Sequence, residues 1–110
     1  MVSRFEVWWV TRRVESAIKA IAGEVTREEH WVTHYGANDI HWRHLVFWIC
    51  VQTDAERDRL RSQPELTERL RRTLHDARYP EEGIDGVFIG FESKETVDRE
   101  AGGNWFLYWK

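Results

Sequence analysis

The distribution of aromatic side chains constrains the fold of this chain more than any other feature. The 110 residues include seven Trp, five Phe and three Tyr. All of them except Tyr79 fall in segments that we predict to be strands, because flat rings pack well on a pleated surface. This content exceeds what one hydrophobic core of this size requires. We therefore expect a sheet-based domain with aromatic side chains left for another purpose.

Hydrophobic periodicity predicts one α+β domain over residues 1–110, with alternating segments as strands and segments of helical period as helices. The predicted strands are 3–11, 25–35, 40–51, 84–92 and 105–109. A turn at Ala37-Asn38 joins the second and third strands into a hairpin. The predicted helices are 12–23, 54–61 and 64–78, with a loop at 80–83 between the last helix and the fourth strand.

Local start and stop signals support the helices. Thr11 is suited to cap the first helix and Gly23 to end it. Thr53-Asp54-Ala55-Glu56 has the spacing of a capping box, and Pro64 is suited to the first turn of a new helix. Apolar residues at helical spacing give each long helix one buried stripe, formed by Val14, Ala17, Ile18 and Ile21 in the first and by Leu66, Leu70, Leu74 and Ala77 in the last.

The order of these elements indicates a ferredoxin-like βαββαβ antiparallel sheet, with helices on one face and an extra C-terminal strand. The opposite face should then meet water, yet both phases of several strands carry aromatic residues: Trp8 opposes Trp9, and Phe47 opposes Trp48. Exposed aromatic faces mark a partner, a ligand or a dimer seam. In the alternative arrangement, residues 93–103 and the chain ends fold over that face.

The element order over residues 3–92 resembles the dimeric α/β barrels of the antibiotic-biosynthesis monooxygenase type, in which two such sheets pack face to face around a pocket. The resemblance is one of architecture, with no family motif to carry over. It implies a small dimeric enzyme as an alternative function. Its pocket candidates are Trp8, His34, Trp42 and His44.

Charge and composition argue against several partners. The net charge of −3 disfavours nucleic-acid binding, which relies on a basic face; single-stranded RNA stacked on the sheet is a third reading that the aromatics suit and the charge does not. The longest apolar run, residues 45–51, is far shorter than the roughly 20 residues that a membrane span needs. One cysteine and no visible signal peptide favour a cytoplasmic protein.

No residue pattern points to catalysis, a cofactor or a metal. His34 and His41 would face each other across the predicted hairpin, but zinc needs three or four ligands and no third one is in reach. Cys50 lies in the apolar run and is predicted to be a buried core thiol. We therefore predict no catalytic residue, no metal site and no cofactor.

The leading hypothesis is a protein-binding module whose aromatic sheet face and acidic loop dock onto a basic protein partner, in its most concrete form an inhibitor or immunity-type protein. Residues 93–103 form a long acidic connection that ends in two glycines before Trp105, which is typical of a recognition edge or, equally, of a short helix crossing the sheet edge. An acidic surface complements a basic partner, and a homodimer is possible. The predicted contact residues are Glu95, Asp98, Glu100, Trp105, Trp8 and Trp48.

Overall fold

The computed structural model describes residues 4–36 and 42–109, which form a three-stranded mixed sheet flanked by six helices. The strands are β1 (Trp31–Tyr35), β2 (Val46–Val51) and β3 (Phe88–Ser93). The helices are α1 (Arg4–Val25), α2 (Asp54–Arg61), α3 (Pro64–Asp76), α4 (Glu81–Ile84), α5 (Lys94–Ala101) and α6 (Trp105–Tyr108), and a 3-10 turn covers Trp42–His44.

The prediction of a ferredoxin-like antiparallel sheet is wrong. The strand order is β1-β2-β3, with β2 antiparallel to β1 and parallel to β3. Helices α1 and α6 stand where two strands, 3–11 and 105–109, were predicted. The described residues therefore have too few strands for that fold. The parallel pairing follows from the helices α2 to α4, which carry the chain back to the starting end of the sheet before β3 begins.

Helix α1 replaces the predicted first strand because one buried stripe runs through its whole length. Val7, Thr11, Val14 and Ile18 are all buried, and they follow one another at intervals of three or four residues. Thr11 therefore lies inside the helix, and its predicted role as a cap is wrong. The predicted stop at Gly23 is also passed, since α1 continues to Val25.

The hairpin of β1 and β2 is confirmed, but its register differs from the prediction. His34 pairs with Phe47 and Tyr35 with Val46, so the two strands separate well before the predicted turn. The turn itself and His41 lie outside the described residues. His34 faces Phe47 in the described hairpin, and the 3-10 turn Trp42–His44 takes up part of the chain that the longer predicted strand would have used.

The helices α2 and α3 are confirmed by the signals that predicted them. The hydroxyl of Thr53 accepts a hydrogen bond from the amide of Glu56 at 3.2 Å, and Pro64 occupies the first turn of α3. Leu66, Leu70 and Leu74 are buried as the predicted stripe of α3. The predicted loop at 80–83 contains most of the single turn α4.

The two faces of the sheet have different surroundings. Phe47, Ile49 and Phe91 lie on the first face and belong to the main core, which also contains buried residues of α1, α2 and α3. On the second face, the pairing register places Trp31, Cys50 and Glu92 in one row and Tyr35, Val46 and Phe88 in another. The aromatic surplus noted in the sequence is concentrated on this second face.

Candidate functional site

Helix α6 covers the second face of the sheet, and we refer to it as the cap. It follows Gly102 and Gly103, whose φ angles of 59° and 83° turn the chain back towards the sheet. The ring of Trp105 then lies 4.9 Å from that of Trp31, and Trp109 stacks on Trp48 at 5.5 Å. The chain's own C-terminal segment therefore covers part of this face, as in the alternative arrangement described above, whereas Tyr35 and Phe88 on the same face stay exposed.

The prediction of a strand over 105–109 is wrong. Side chains one helical turn apart in this segment face the sheet, and two of those between them face outward. Asn104 is the N-terminal capping residue of α6, and its side-chain oxygen accepts a hydrogen bond from the amide of Leu107 at 3.0 Å. Trp105 and Trp109, one helical turn apart, then point to the same side and meet the sheet. Phe106 and Leu107 are left on the outside, with 77% and 54% of their surfaces exposed.

Glu92 fastens the cap to the sheet. Its carboxylate accepts hydrogen bonds from the hydroxyl of Tyr108 at 2.6 Å, from the guanidinium of Arg57 at 2.7 Å and from the amide of Ser93 at 2.9 Å. Burial alone would raise the pKa of Glu92, but these three donors outweigh it and hold the pKa below its ordinary value. A buried carboxylate with every donor supplied by its own chain is a structural anchor.

The same network continues to Asp54 at the start of α2. The Asp54 carboxylate accepts hydrogen bonds from the hydroxyls of Ser93 and Thr96 and from the guanidinium of Arg99, and these donors lower its pKa. Glu95, a predicted contact residue, accepts a hydrogen bond from the Asp54 amide at 2.7 Å. The network thus joins α2, α5 and the end of β3 into one unit.

Cys50 is confirmed as a buried thiol. It lies on the second face in the row between Trp31 and Glu92, the two residues that Trp105 and Tyr108 of the cap contact. Burial, together with the charge of Glu92, raises its pKa to about 12. The thiolate needed for nucleophilic chemistry is therefore not populated at neutral pH.

The outer side of the cap, together with α5, forms an exposed surface. We define the cap surface by Phe106, Leu107 and the exposed carboxylates of Asp98 and Glu100. Asp98 lies against Gly103, where an added Cβ would come within 3.0 Å of its Oδ1. The pKa of Tyr108 in the cap is raised, by burial first and in smaller part by the negative charge of Glu100. This surface combines apolar side chains with acidic ones.

The predicted contact residues are divided between different places. Trp105 faces inward against Trp31, and Trp48 lies beneath Trp109; both are half-buried. Asp98 forms an ion pair with Lys94 at 2.6 Å and stays exposed. Trp8 is exposed on α1. The structure thus brings Asp98, Glu100 and Trp105 to the cap and places Trp8 elsewhere.

Trp8 belongs to another exposed surface, on α1. We define this helix surface by Trp8, Trp9, Arg12 and Arg13. The Trp8 and Trp9 rings meet edge to face at 4.8 Å and are 42% and 47% exposed. The guanidinium of Arg12 lies 5.2 Å from the centre of the Trp8 ring. Trp9, Arg12, Arg13 and Ser16 line a shallow hollow.

Sequence reasoning missed Phe106, Leu107, Trp9, Arg12 and Arg13 as surface residues. Asn104 before the aromatic run was a helix-start signal that could have revealed the outward positions of Phe106 and Leu107. For α1, extending the spacing of Val14 and Ile18 back to Val7 would have placed Trp8 and Trp9 outside the buried stripe.

The histidines and the pocket candidates of the enzyme alternative do not form a metal centre in the described part of the chain. In that part, no group of three or more His, Cys, Asp or Glu side chains could hold a metal ion. His34 lies on the core face, with its ring 5.4 Å from Phe47 and its Nδ1 3.5 Å from a Glu15 carboxylate oxygen. Trp42 and His44 lie in the 3-10 turn, and Trp8 lies on α1.

Comparison with protein-family models, curated proteins and solved structures finds no match to this chain. Within residues 4–36 and 42–109, no helix is both long and apolar enough to cross a membrane. The features that bear on function are therefore the cap surface and the helix surface.

Proposed function

We propose that this chain is a protein-binding module whose cap surface docks onto a partner with a basic face. The observation that carries the proposal is the exposure of Phe106 and Leu107, at 77% and 54%, on a helical turn whose other side chains are held against the sheet. Large apolar side chains fixed on a protein surface mark interaction sites. Because Trp105, Tyr108 and Trp109 anchor the cap, its backbone is in place before a partner arrives, which lowers the entropic cost of binding.

The charges beside these apolar side chains favour a basic partner. Asp98, Glu100 and the nearby Glu95 are exposed on α5, and the whole chain carries a net charge of −3. Carboxylates at the rim of an interface increase the association rate with a basic surface. An inhibitor or immunity-type protein that covers a basic protein such as a nuclease is the concrete form of this proposal.

The dimeric-barrel enzyme alternative loses the observation on which it rested. Its basis was the βαββαβ order, whereas the structure has a three-stranded mixed sheet in its described residues. A face-to-face dimer of sheets would also need an open second face. The cap occupies that face through Trp105 and Trp109.

Site-specific photocrosslinking tests the proposed function. A photoreactive phenylalanine analogue replaces Phe106 in one variant and Glu68 in a matched control, because Glu68 is exposed on α3 away from the cap. Both proteins are irradiated in extract of the host cells. We expect a discrete adduct at position 106 that is absent at position 68 and weakens at high salt. No adduct at position 106, or equal adducts at both positions, would contradict the proposal.

A further inference from the structure

We propose that the partner of the cap surface is the helix surface of a second copy of this chain, so that copies associate head to tail. This inference rests on the proposed function, since it names the occupant of the same site. Exposed apolar side chains lie beside carboxylates on the cap surface, where Asp98 is paired with Lys94, and beside two arginines on the helix surface, and one chain presents both surfaces.

Complementary chemistry supports this pairing. The cap surface offers Phe106 and Leu107 beside acidic side chains, and the helix surface offers two tryptophans beside two arginines. Trp and Arg are the side chains most enriched at the energetic centre of protein interfaces. Arginine also binds carboxylates through paired hydrogen bonds, for which Glu100 is a suitable acceptor, and Asp98 would exchange its ion pair with Lys94 for such a contact.

The helix surface is ordered in the isolated chain. Arg12 is positioned over Trp8, and Arg13 donates a hydrogen bond to the carbonyl oxygen of Ala77 at 3.1 Å. The Trp8 and Trp9 rings support each other at 4.8 Å. Since few rotamers remain to be frozen, contact with a second copy has a small entropic cost.

The positions of the two surfaces determine the kind of assembly. α1 packs on the core face of the sheet through Val14 and Ile18, whereas the cap lies on the opposite face over Trp31 and Trp48. One copy cannot bring its own two surfaces together. A copy that contacts one neighbour through its cap and another through α1 has a heterologous interface, which gives a ring or an open chain, and this is the assembly that we propose.

A pair of blocked variants tests this geometry. Trp9→Glu blocks the helix surface and Phe106→Glu blocks the cap surface, and both side chains lie outside the core. Sedimentation velocity at rising protein concentration should show growing species for the wild type and a monomer for each variant alone. An equimolar mixture of the two variants should form a dimer and nothing larger, because each variant keeps one intact surface and the mixed dimer has no further intact pair.

A charge reversal gives an independent measurement. Arg12→Glu should weaken association by about tenfold or more, as expected for an arginine at an interface centre. Arg72→Glu is the matched control, because Arg72 is exposed on α3 and belongs to neither surface. Circular dichroism must show wild-type helix content for every variant used.

Three results would overturn the inference: a wild type that stays monomeric at all concentrations, a blocked variant that still forms large species, or a mixture that remains monomeric. Crosslinking at position 106 separates this failure from failure of the proposed function. An adduct with another protein alone refutes the second copy and leaves the proposed function standing. Position 106 crosslinking to nothing refutes both.

Discussion

At the scale of single residues, one carboxylate joins three parts of the molecule. Glu92 of β3 accepts hydrogen bonds from Arg57 of α2, from Tyr108 of the cap and from the amide that precedes α5. A charge buried in this way is tolerated only while its partners are present. The contribution of Glu92 to stability is therefore larger than that of any exposed ion pair.

Glu92→Ala should lower the free energy of unfolding by about 3 kcal/mol, because it removes the buried acceptor shared by Arg57, Tyr108 and the Ser93 amide. Glu68→Ala, which removes an exposed pair with Arg72, should cost at most about 0.5 kcal/mol. Urea titrations followed by tryptophan fluorescence measure both. Equal effects of the two substitutions would show that Glu92 is not an anchor.

At the scale of elements, the cap controls access to Cys50. The thiol is buried and lies between residues that contact the cap, so a thiol reagent reaches it only when the cap opens or the chain unfolds. Removing the hydrogen bond between Tyr108 and Glu92 should make this opening easier without removing any apolar area from the core.

Tyr108→Phe should increase the labelling rate of Cys50 by about tenfold, since a hydrogen bond to a charged group contributes about 1.5 kcal/mol. Leu107→Ala is the control: its side chain points away from the sheet, so the rate should stay at the wild-type value. The measurement is the time course of reaction with a chromogenic disulfide in native buffer. Identical rates for the two variants would mean that the cap does not cover the thiol.

The continuity of α1 gives a second prediction at this scale. If a helix began with Thr11 as its N-terminal capping residue, as the sequence predicts, proline at the next position would be tolerated. Inside the continuous helix Arg4–Val25, Arg12→Pro should instead cost about 3 kcal/mol, because it removes a backbone hydrogen bond and clashes with the preceding turn. Arg12→Ala should cost less than 1 kcal/mol. Thermal unfolding followed by circular dichroism distinguishes these outcomes.

Elements with local signals could be predicted, and elements that depend on distant contacts could not. Thr53 and Pro64 fix α2 and α3 within a few residues, so these helices were correct. In 3–11 and 105–109, clustered aromatic residues match both a strand and a helix, and packing against the rest of the chain decides between them. The parallel pairing of β2 with β3 joins residues far apart in sequence, which no local pattern reveals.

The candidate site was predicted in part for the same reason. The acidic residues after β3 are exposed on α5, and the aromatic run behind them forms the cap. The outward side chain is Phe106, whereas Trp105 was expected there. Helical spacing turns Trp105 towards the sheet and Phe106 away from it. Assigning residues 105–108 to a helix would therefore have placed Phe106, and not Trp105, on the outer side.

At the scale of the whole molecule, the buried and paired carboxylates make stability depend on pH. Hydrogen bonds from Arg59 and Thr26 lower the pKa of Glu56 to about 2, and the pKa values of Asp54 and Glu92 are also lowered. On acidification the unfolded chain therefore binds protons before the folded one does. The stabilisation from these groups is complete above about pH 4.5, their ordinary range, and is lost as the pH falls towards 2.

Urea unfolding at a series of pH values should show a free energy of unfolding that is steady near neutrality and decreases below about pH 4.5. Glu92→Gln removes one of the titrating groups and should make this decrease shallower. Glu68→Gln, on the exposed side of α3, should leave the slope as in the wild type. A stability that is independent of pH down to 2 would contradict the assignment of these carboxylates.

The central position of β2 also governs how the chain acquires its structure during synthesis. β2 leaves the ribosome with β1 as its one available strand partner, since β3 follows only after α2, α3 and α4. A two-stranded hairpin is marginally stable at best, and pairings between distant segments form slowly. A nascent chain that stalls before β3 therefore leaves the backbone edge of β2 that later pairs with β3 without a partner, and an unpaired edge on an apolar strand is a site of aggregation.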